Sequence, residues 1–315
     1  MLIGIYLLAG LVALYLGAEW LVRGSVSLAR RFGLPPLLIG LTIVAYGTSA
    51  PELLVSVLAG FRGQGGLALG NAVGSCIFNA GFIVGVTALI VPIRVEMQLV
   101  KQDAPIMVLA AGAFLLIFLD GRVDRWEAWV LLGGLFFYTG VHVKAAVWEN
   151  AKAEREPVES DTGVAQVSPV KEAALILGGC AALAVGSHWF VEGAVALARF
   201  WGVSEAVVGL SVVAAGTGLP ELAASVVAAC RKQPDIAIGN VVGSNIYNIL
   251  GVVGLAGVLT GPLDGQGMGQ TEVQLMAATS LILLALAWTG FLLKRWEAVI
   301  LLAAYGLYIA QLWPW

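Results

Sequence analysis

Apolar residues in this chain gather in runs of roughly 20 or more, the length a helix needs to cross a ~30 Å hydrocarbon layer. Ten runs are read, at residues 2–22, 35–61, 66–92, 103–119, 126–147, 172–200, 204–230, 236–260, 273–290 and 296–313. Between the fifth and sixth lies the one markedly polar stretch, Glu149 to Lys171, where Glu154, Arg155, Glu156, Glu159 and Asp161 sit close to Pro157, Gly163 and Pro169. Such a stretch buries nothing and is read as a flexible linker. The pattern therefore predicts an all-α integral membrane protein of ten spans. The first run continues into Arg23, Arg30 and Arg31 with no small-residue cleavage site, so it is expected to stay as a span.

The sequence on the two sides of the linker repeats at an offset of 169 residues. Residues 40–79 and 209–248 align without a gap and are identical at 22 of 40 positions. The likeness reaches back into the preceding helix, where Gly17, Trp20, Val22, Gly24, Ala29, Arg30 and Gly33 correspond to Gly186, Trp189, Val191, Gly193, Ala198, Arg199 and Gly202. It also reaches forward, from Arg125-Trp126-Glu127-Ala128 to Arg295-Trp296-Glu297-Ala298. The expected units are residues 1–148 and 172–315, joined by the linker 149–171 into one transport domain. Five spans per unit is an odd number, so the second copy enters the membrane upside down, an arrangement found in secondary transporters with a site near the midplane.

Composition agrees with this picture: 59% of residues are hydrophobic and 12% charged, too apolar for one water-soluble core. The placement of positive charge adds orientation. With ten spans, one side carries Arg62, Arg122, Arg125 and Arg199, and the other carries the remaining 13 of the 17 Lys and Arg residues. The positive-inside rule then puts both termini outside an inner cell membrane and the linker in the cytoplasm. Cys76, Cys180 and Cys230 stand alone in apolar runs and read as small buried hydrophobes.

The chemistry lies in the block that repeats best. The first copy reads Ala45-Tyr-Gly-Thr48-Ser49-Ala-Pro51-Glu52 and the second Ala214-Ala-Gly-Thr217-Gly218-Leu-Pro220-Glu221. Each puts a carboxylate near the middle of an apolar span, where it is costly unless it faces a polar cavity or partner. Pro51 and Pro220 cannot donate the bonds that the carbonyls of Gly47 and Gly216 would accept, so each helix is expected to break there and release carbonyl oxygens. Thr48 with Glu52, and Thr217 with Glu221, share helical i,i+4 spacing. Asn71, Ser75 and Asn79 form a further polar stripe, mirrored by Asn240, Ser244 and Asn248. Carboxylates, hydroxyls, amides and carbonyls with no thiolate or imidazole nearby suit hard cations such as Ca²⁺ and Na⁺. Two carboxylates balance one Ca²⁺ or two Na⁺, so the ions can compete for one cavity.

GTSAPEL followed by GNAVGSCIFN, and GTGLPEL followed by GNVVGSNIYN, resemble the paired alpha repeats of the cation/calcium exchanger superfamily, most closely its prokaryotic sodium/calcium exchangers. The resemblance implies ten helices in two inverted five-helix repeats with helices 2, 3, 7 and 8 broken. It implies that Glu52 and Glu221 hold Ca²⁺ and share Na⁺, with Thr48, Ser49, Thr217, Ser75, Ser244, Asn79, Asn248 and the carbonyls of Ala45 and Ala214 as further oxygen donors. Potassium-dependent relatives have an aspartate at the place of Asn248, and its absence argues against K⁺ co-transport. The family usually has a serine at the place of Gly218, so one hydroxyl is missing on the second-repeat side. No cofactor is implied; Ca²⁺ and Na⁺ are substrates, and the lipid bilayer is the partner.

Other polar residues read as structural. Glu19 and His188, like Arg23 and Glu192, hold equivalent places in the first helix of each half and are expected to pack or reach the interface. Asp103 and His142 lie near span ends and are expected to be solvated or interfacial, and tryptophans near span ends read as anchors. Paired carboxylates also serve acid/base enzymes, but no nucleophile, histidine cluster or phosphate loop accompanies these. Proton-driven Ca²⁺ antiport is the alternative within transport; the Thr and Ser donors favour Na⁺, since a proton needs no oxygen cage.

Overall fold

The structure, a computed structural model, describes residues 2–153, 168–201 and 216–312. The helices, in chain order, are α1 (Leu2–Phe32), α2 (Pro36–Thr48), α3 (Ala50–Phe61), α4 (Gly65–Ile90), α5 (Leu99–Asp120), α6 (Arg125–Ala153), α7 (Pro169–Phe200), α8 (Leu219–Cys230), α9 (Pro234–Thr260), α10 (Gln270–Trp288) and α11 (Arg295–Leu312). Six of these, α1, α4, α5, α7, α9 and α10, are long and apolar enough to cross a membrane; the bent pair α2–α3 makes a seventh. α6 and α11 occupy the runs expected at 126–147 and 296–313, each opening on Arg-Trp-Glu. The run at 204–230 falls partly outside the described residues, and α8 is its described part.

The break at the first Pro-Glu is where the sequence places it. α2 and α3 meet at 46° around Ser49, whose ψ of 9° leaves the helical range, and Pro51 restarts the helix in its first turn, where a missing N–H costs nothing. The expectation of breaks in helices 3 and 8 is corrected. α4 and α9 run through as continuous helices and accommodate their glycine-rich centres with π-helical segments, Asn79–Ile83 and Asn248–Val253. A π turn widens the helix by one residue without interrupting its backbone bonds. The all-α expectation gains one detail: four two-residue strands pair antiparallel, Ile93–Arg94 with Leu292–Leu293 and Arg122–Val123 with Leu263–Asp264. Each pair ties a connector of one half to a connector of the other.

α1 and α7 are packed through a glycine stripe at seven-residue spacing. A Cβ on Gly10 would meet the Gly186 carbonyl oxygen at 2.8 Å, one on Gly17 the Gly179 oxygen at 2.9 Å, and one on Gly24 would press on Ile176. The partner positions fall as the α1 number rises, so the two helices run antiparallel at backbone contact, as small residues allow inside a bilayer. The outer faces are apolar: Leu8, Leu109, Leu116, Phe137, Leu177 and Leu307 are all more than 60% exposed. Trp126, Trp129, Trp201, Trp288 and Trp296 are exposed near helix ends, as interfacial anchors are. Polar side chains are gathered inside, which inverts the pattern of a water-soluble protein.

The interfacial expectations for Asp103 and His142 fail, since both are buried. Asp103 is fully buried, and its Oδ1 takes the Nε2 of His142 at 2.9 Å and accepts the Tyr138 hydroxyl at 3.2 Å. Tyr138 and His142, one turn apart on α6, are themselves buried and cover this carboxylate. Glu19 is also buried, held by Arg23 on its own helix and by Arg231 after α8, at 2.8 Å and 2.7 Å to the latter. His188 and Glu192 remain exposed, 3.4 Å apart.

Candidate functional site

Five helix segments converge on the two glutamates: the end of α2 and the start of α3 around Ser49, the start of α8, and the middles of α4 and α9. Glu52 is 1% exposed and Glu221 0%. Each backbone is pinned by the same device. The Asn71 amide donates to the Glu52 carbonyl at 3.0 Å and to Ser56 Oγ at 2.9 Å, and the Ser56 hydroxyl donates to the Ala68 carbonyl. In the second half, Asn240 donates to the Glu221 carbonyl at 3.2 Å and to Ser225 Oγ at 2.9 Å, and Ser225 donates to the Ala237 carbonyl. Asn71 and Asn240 therefore hold the helices that carry the glutamates, and the polar stripe that begins with them is part scaffold. Ser56 and Ser225 were missed in the sequence; both lie four residues after the glutamates in the aligned block, which was the available signal.

The halves then interlock. Ser49 Oγ lies 2.7 Å from Glu221 Oε1 and 3.0 Å from Ser244 Oγ, so a first-repeat hydroxyl serves a second-repeat carboxylate. Thr48 Oγ1 lies 3.2 Å from Asn240 Oδ1 and 3.3 Å from the Ala45 carbonyl. The i,i+4 pairing of Thr48 with Glu52 is thus not what forms, because the bend at Ser49 swings Thr48 across to the other half. The Ala45 carbonyl already accepts the Ser49 N–H and the Thr48 hydroxyl, and the Gly216 carbonyl accepts the Ser187 hydroxyl from α7. Thus the Gly216 carbonyl, one of the two expected to be released, and the Ala45 carbonyl, an expected oxygen donor, both have protein donors. Ser75 is buried on the face of α4 between Asn71 and Asn79, and Thr217 is half-buried at the start of the α8 arm. Gly218 is buried beside it, and Ala214 lies outside the described residues.

The remaining polar atoms point to what the site holds. Among the described residues, both carboxylate oxygens of Glu52, Oε2 of Glu221, Oδ1 of Asn79 and both amide atoms of Asn248 are buried without a hydrogen-bond partner. A buried carboxylate without a partner is strongly disfavoured, so these orphaned carboxylate oxygens call for a bound cation or a proton to neutralise them. Among the described residues no group of three or more His, Cys, Asp or Glu side chains gathers anywhere, so hydroxyl and amide oxygens must complete any shell. That donor set fits hard, weakly polarising cations.

The sequence model of the family described as "Sodium/calcium exchanger protein" matches residues 2–144 and again residues 171–313. The chain belongs to this family. It is 34% identical over 343 residues to the sodium/calcium exchanger MaX1 of Methanosarcina acetivorans, covering 97% of each chain. It is likewise 34% identical over 289 residues to the inner membrane protein YrbG of Escherichia coli, covering 90% of this chain and 87% of that one. Among solved structures, the sodium-calcium exchanger NCX_Mj, soaked with zero Na⁺ and Ca²⁺, superposes with a TM-score of 0.83 at 35% identity over 98% of both chains. Membership makes the chain a multi-pass membrane antiporter of the cation/Ca²⁺ class. Its relatives of known description are exchangers rather than enzymes, and the bilayer is its solvent.

Proposed function

We propose that this chain exchanges Ca²⁺ for Na⁺ by alternating access at a midplane site formed by Glu52, Glu221, Thr48, Ser49, Thr217, Ser75, Ser244, Asn79, Asn248 and the carbonyls of Ala45 and Ala214. The observation that carries the proposal is the pair of fully buried glutamates with three of their four carboxylate oxygens unpartnered among the described residues. Two such carboxylates neutralise one Ca²⁺ or two Na⁺, and mutual exclusion of the two loads is what couples them. The Ser49 hydroxyl at the Glu221 carboxylate, with Thr48 beside it in the chain, favours Na⁺ over H⁺ as the coupling ion. The Asn248 amide, in place of an acid, argues against K⁺.

The scaffold we propose is ten spans in two inverted five-helix repeats, 1–148 and 172–315, with the linker 149–171 in the cytoplasm and both termini outside. Three observations support it. The family model matches once on each side of the linker. α1 and α7, equivalent by the 169-residue offset, run antiparallel. The two short strand pairs join connectors reciprocally across the halves.

Purified protein in liposomes, loaded with Ca²⁺ and challenged with imposed Na⁺, K⁺ or pH gradients, tests the function. Flux driven by a Na⁺ gradient and not by the others is the expected result. Flux driven only by a pH gradient establishes proton coupling and overturns the Na⁺ assignment.

A further inference from the structure

Asn79 and Asn248 hold equivalent positions on α4 and α9, yet the protein treats them differently. Three residues before each, the repeats diverge: Cys76 in the first half, Asn245 in the second. Asn245 is fully buried, and its carboxamide spans the boundary between the halves. Its Nδ2 lies 3.2 Å from the backbone carbonyl oxygen of Cys76 and 3.7 Å from the thioether sulfur of Met107 on α5. A carbonyl oxygen and a thioether can only accept, so the amide nitrogen must occupy that side. The Asn245 oxygen then faces Asn79, 3.1 Å from its Nδ2, and only a donor can meet it there.

The orientation of Asn79 follows from that of Asn245. Its nitrogen is committed, and its Oδ1 is left buried without a partner among the described residues. Asn248 has a thiol, Cys76, where Asn79 has an amide, and neither of its amide atoms is partnered among the described residues. One carboxamide is locked by an amide with its oxygen free; the other faces only the Cys76 thiol, a weak partner whose sulfur lies 3.7 Å from the Asn245 backbone carbonyl oxygen.

We propose that Asn245 is a positioning residue that presets Asn79 as an oxygen donor to the transported cation, whereas Asn248, with only a thiol beside it, is held less firmly. The proposal rests on the site reading above and adds an asymmetry between the halves that their sequence symmetry conceals. A preset ligand loses no rotational freedom when the ion arrives, whereas turning Asn79 over would aim N–H dipoles at a cation and set two amide oxygens against each other.

The experiment measures the Ca²⁺ concentration giving half-maximal exchange, and the maximal rate, in proteoliposomes containing wild type, Asn79→Ala, Asn245→Ala and the double variant. Asn245→Cys, which gives the second repeat the side chain of the first, is included as the gentler change should Asn245→Ala fail to insert. The expected result is that Asn79→Ala and each Asn245 variant raise the half-maximal concentration by about five-fold or more, the size of one lost hydrogen bond to a charge-bearing site. The maximal rate should change less. The double variant should be no worse than Asn79→Ala alone, because Asn245 acts only through Asn79. Wild-type affinity in the Asn245 variants, with Asn79→Ala impaired, overturns the proposal; so does full additivity in the double variant. Unchanged affinity in Asn79→Ala is a separate result that removes Asn79 from the site, overturning the site reading and this proposal with it.

Discussion

Gly243→Ala is the smallest change expected to disable this protein without touching a proposed ligand. Gly243 lies on α9 immediately before Ser244, and a Cβ built there would sit 2.4 Å from the Leu41 carbonyl oxygen and 2.7 Å from the Leu41 Cα on α2. The obstacle is backbone, so no rotamer change relieves it. Reaching 3.0 Å, the shortest approach that real Cβ atoms make, requires α2 and α9 to part by at least 0.6 Å. Gly239 against the Leu37 carbonyl at 2.9 Å and Gly40 against that of Ile236 at 2.9 Å show that the same contact continues along both helices. A rigid outward shift of α2 would lengthen Ser49–Ser244 from 3.0 Å and Thr48–Asn240 from 3.2 Å to the limit of hydrogen bonding or past it. Overpacking costs about 1–3 kcal/mol and the two buried bonds about 1 kcal/mol each, some 3–5 kcal/mol together. Ca²⁺ exchange in proteoliposomes and the thermal midpoint of the purified variant are the readouts, with Gly133→Ala on the exposed face of α6, where an added Cβ meets nothing, as control. The expected outcome is a lowered midpoint and at least about a tenfold loss of exchange in Gly243→Ala only. Wild-type exchange and an unchanged midpoint would refute the argument that backbone contact between α2 and α9 builds the site.

Glu52→Gln and Glu221→Gln should each abolish Ca²⁺ exchange in folded, membrane-inserted protein, because one carboxylate cannot balance a divalent cation in a low-dielectric cavity; a loss of more than about a hundredfold in apparent affinity is expected, measured by Ca²⁺ flux. Near-normal activity in either variant would take that glutamate out of the site. Gly218→Ser should lower, by about two-fold or more, the Na⁺ concentration giving half-maximal Ca²⁺ release, by adding the hydroxyl that Ser49 supplies on the other side. The backbone accepts the change without strain, since Gly218 at φ −81°, ψ −1° nearly matches Ser49 at −83°, 9°. An unchanged or raised value would show that the glycine serves helix geometry.

The apolar spans, the internal duplication and the two glutamates set in apolar runs were legible in the sequence alone, for one reason: each rests on a local contrast that needs no folding to be seen. A carboxylate inside an apolar run, preceded by proline, is anomalous in one dimension, and its recurrence 169 residues later makes accident untenable. The bend at Ser49 was legible on the same ground, because the missing N–H of Pro51 is a covalent fact.

What required the tertiary structure was every relation between the halves. Periodicity pairs Thr48 with Glu52, whereas the folded chain sends Thr48 to Asn240 and Ser49 to Glu221, because a 46° bend cancels helical spacing. Asn71 and Asn240 look like cation ligands in a polar stripe, yet their amides are committed to the carbonyls of the glutamates they flank. Asp103 looks interfacial by its place near a run's end, and only packing against Tyr138 and His142 buries it. Asn245 carried no signal beyond its mismatch with Cys76, since the orientation it imposes on Asn79 passes through a carbonyl oxygen 169 residues away. Spacing along a chain fixes which residues share a helix face; which donor meets which acceptor across two helices is fixed only when both have been packed.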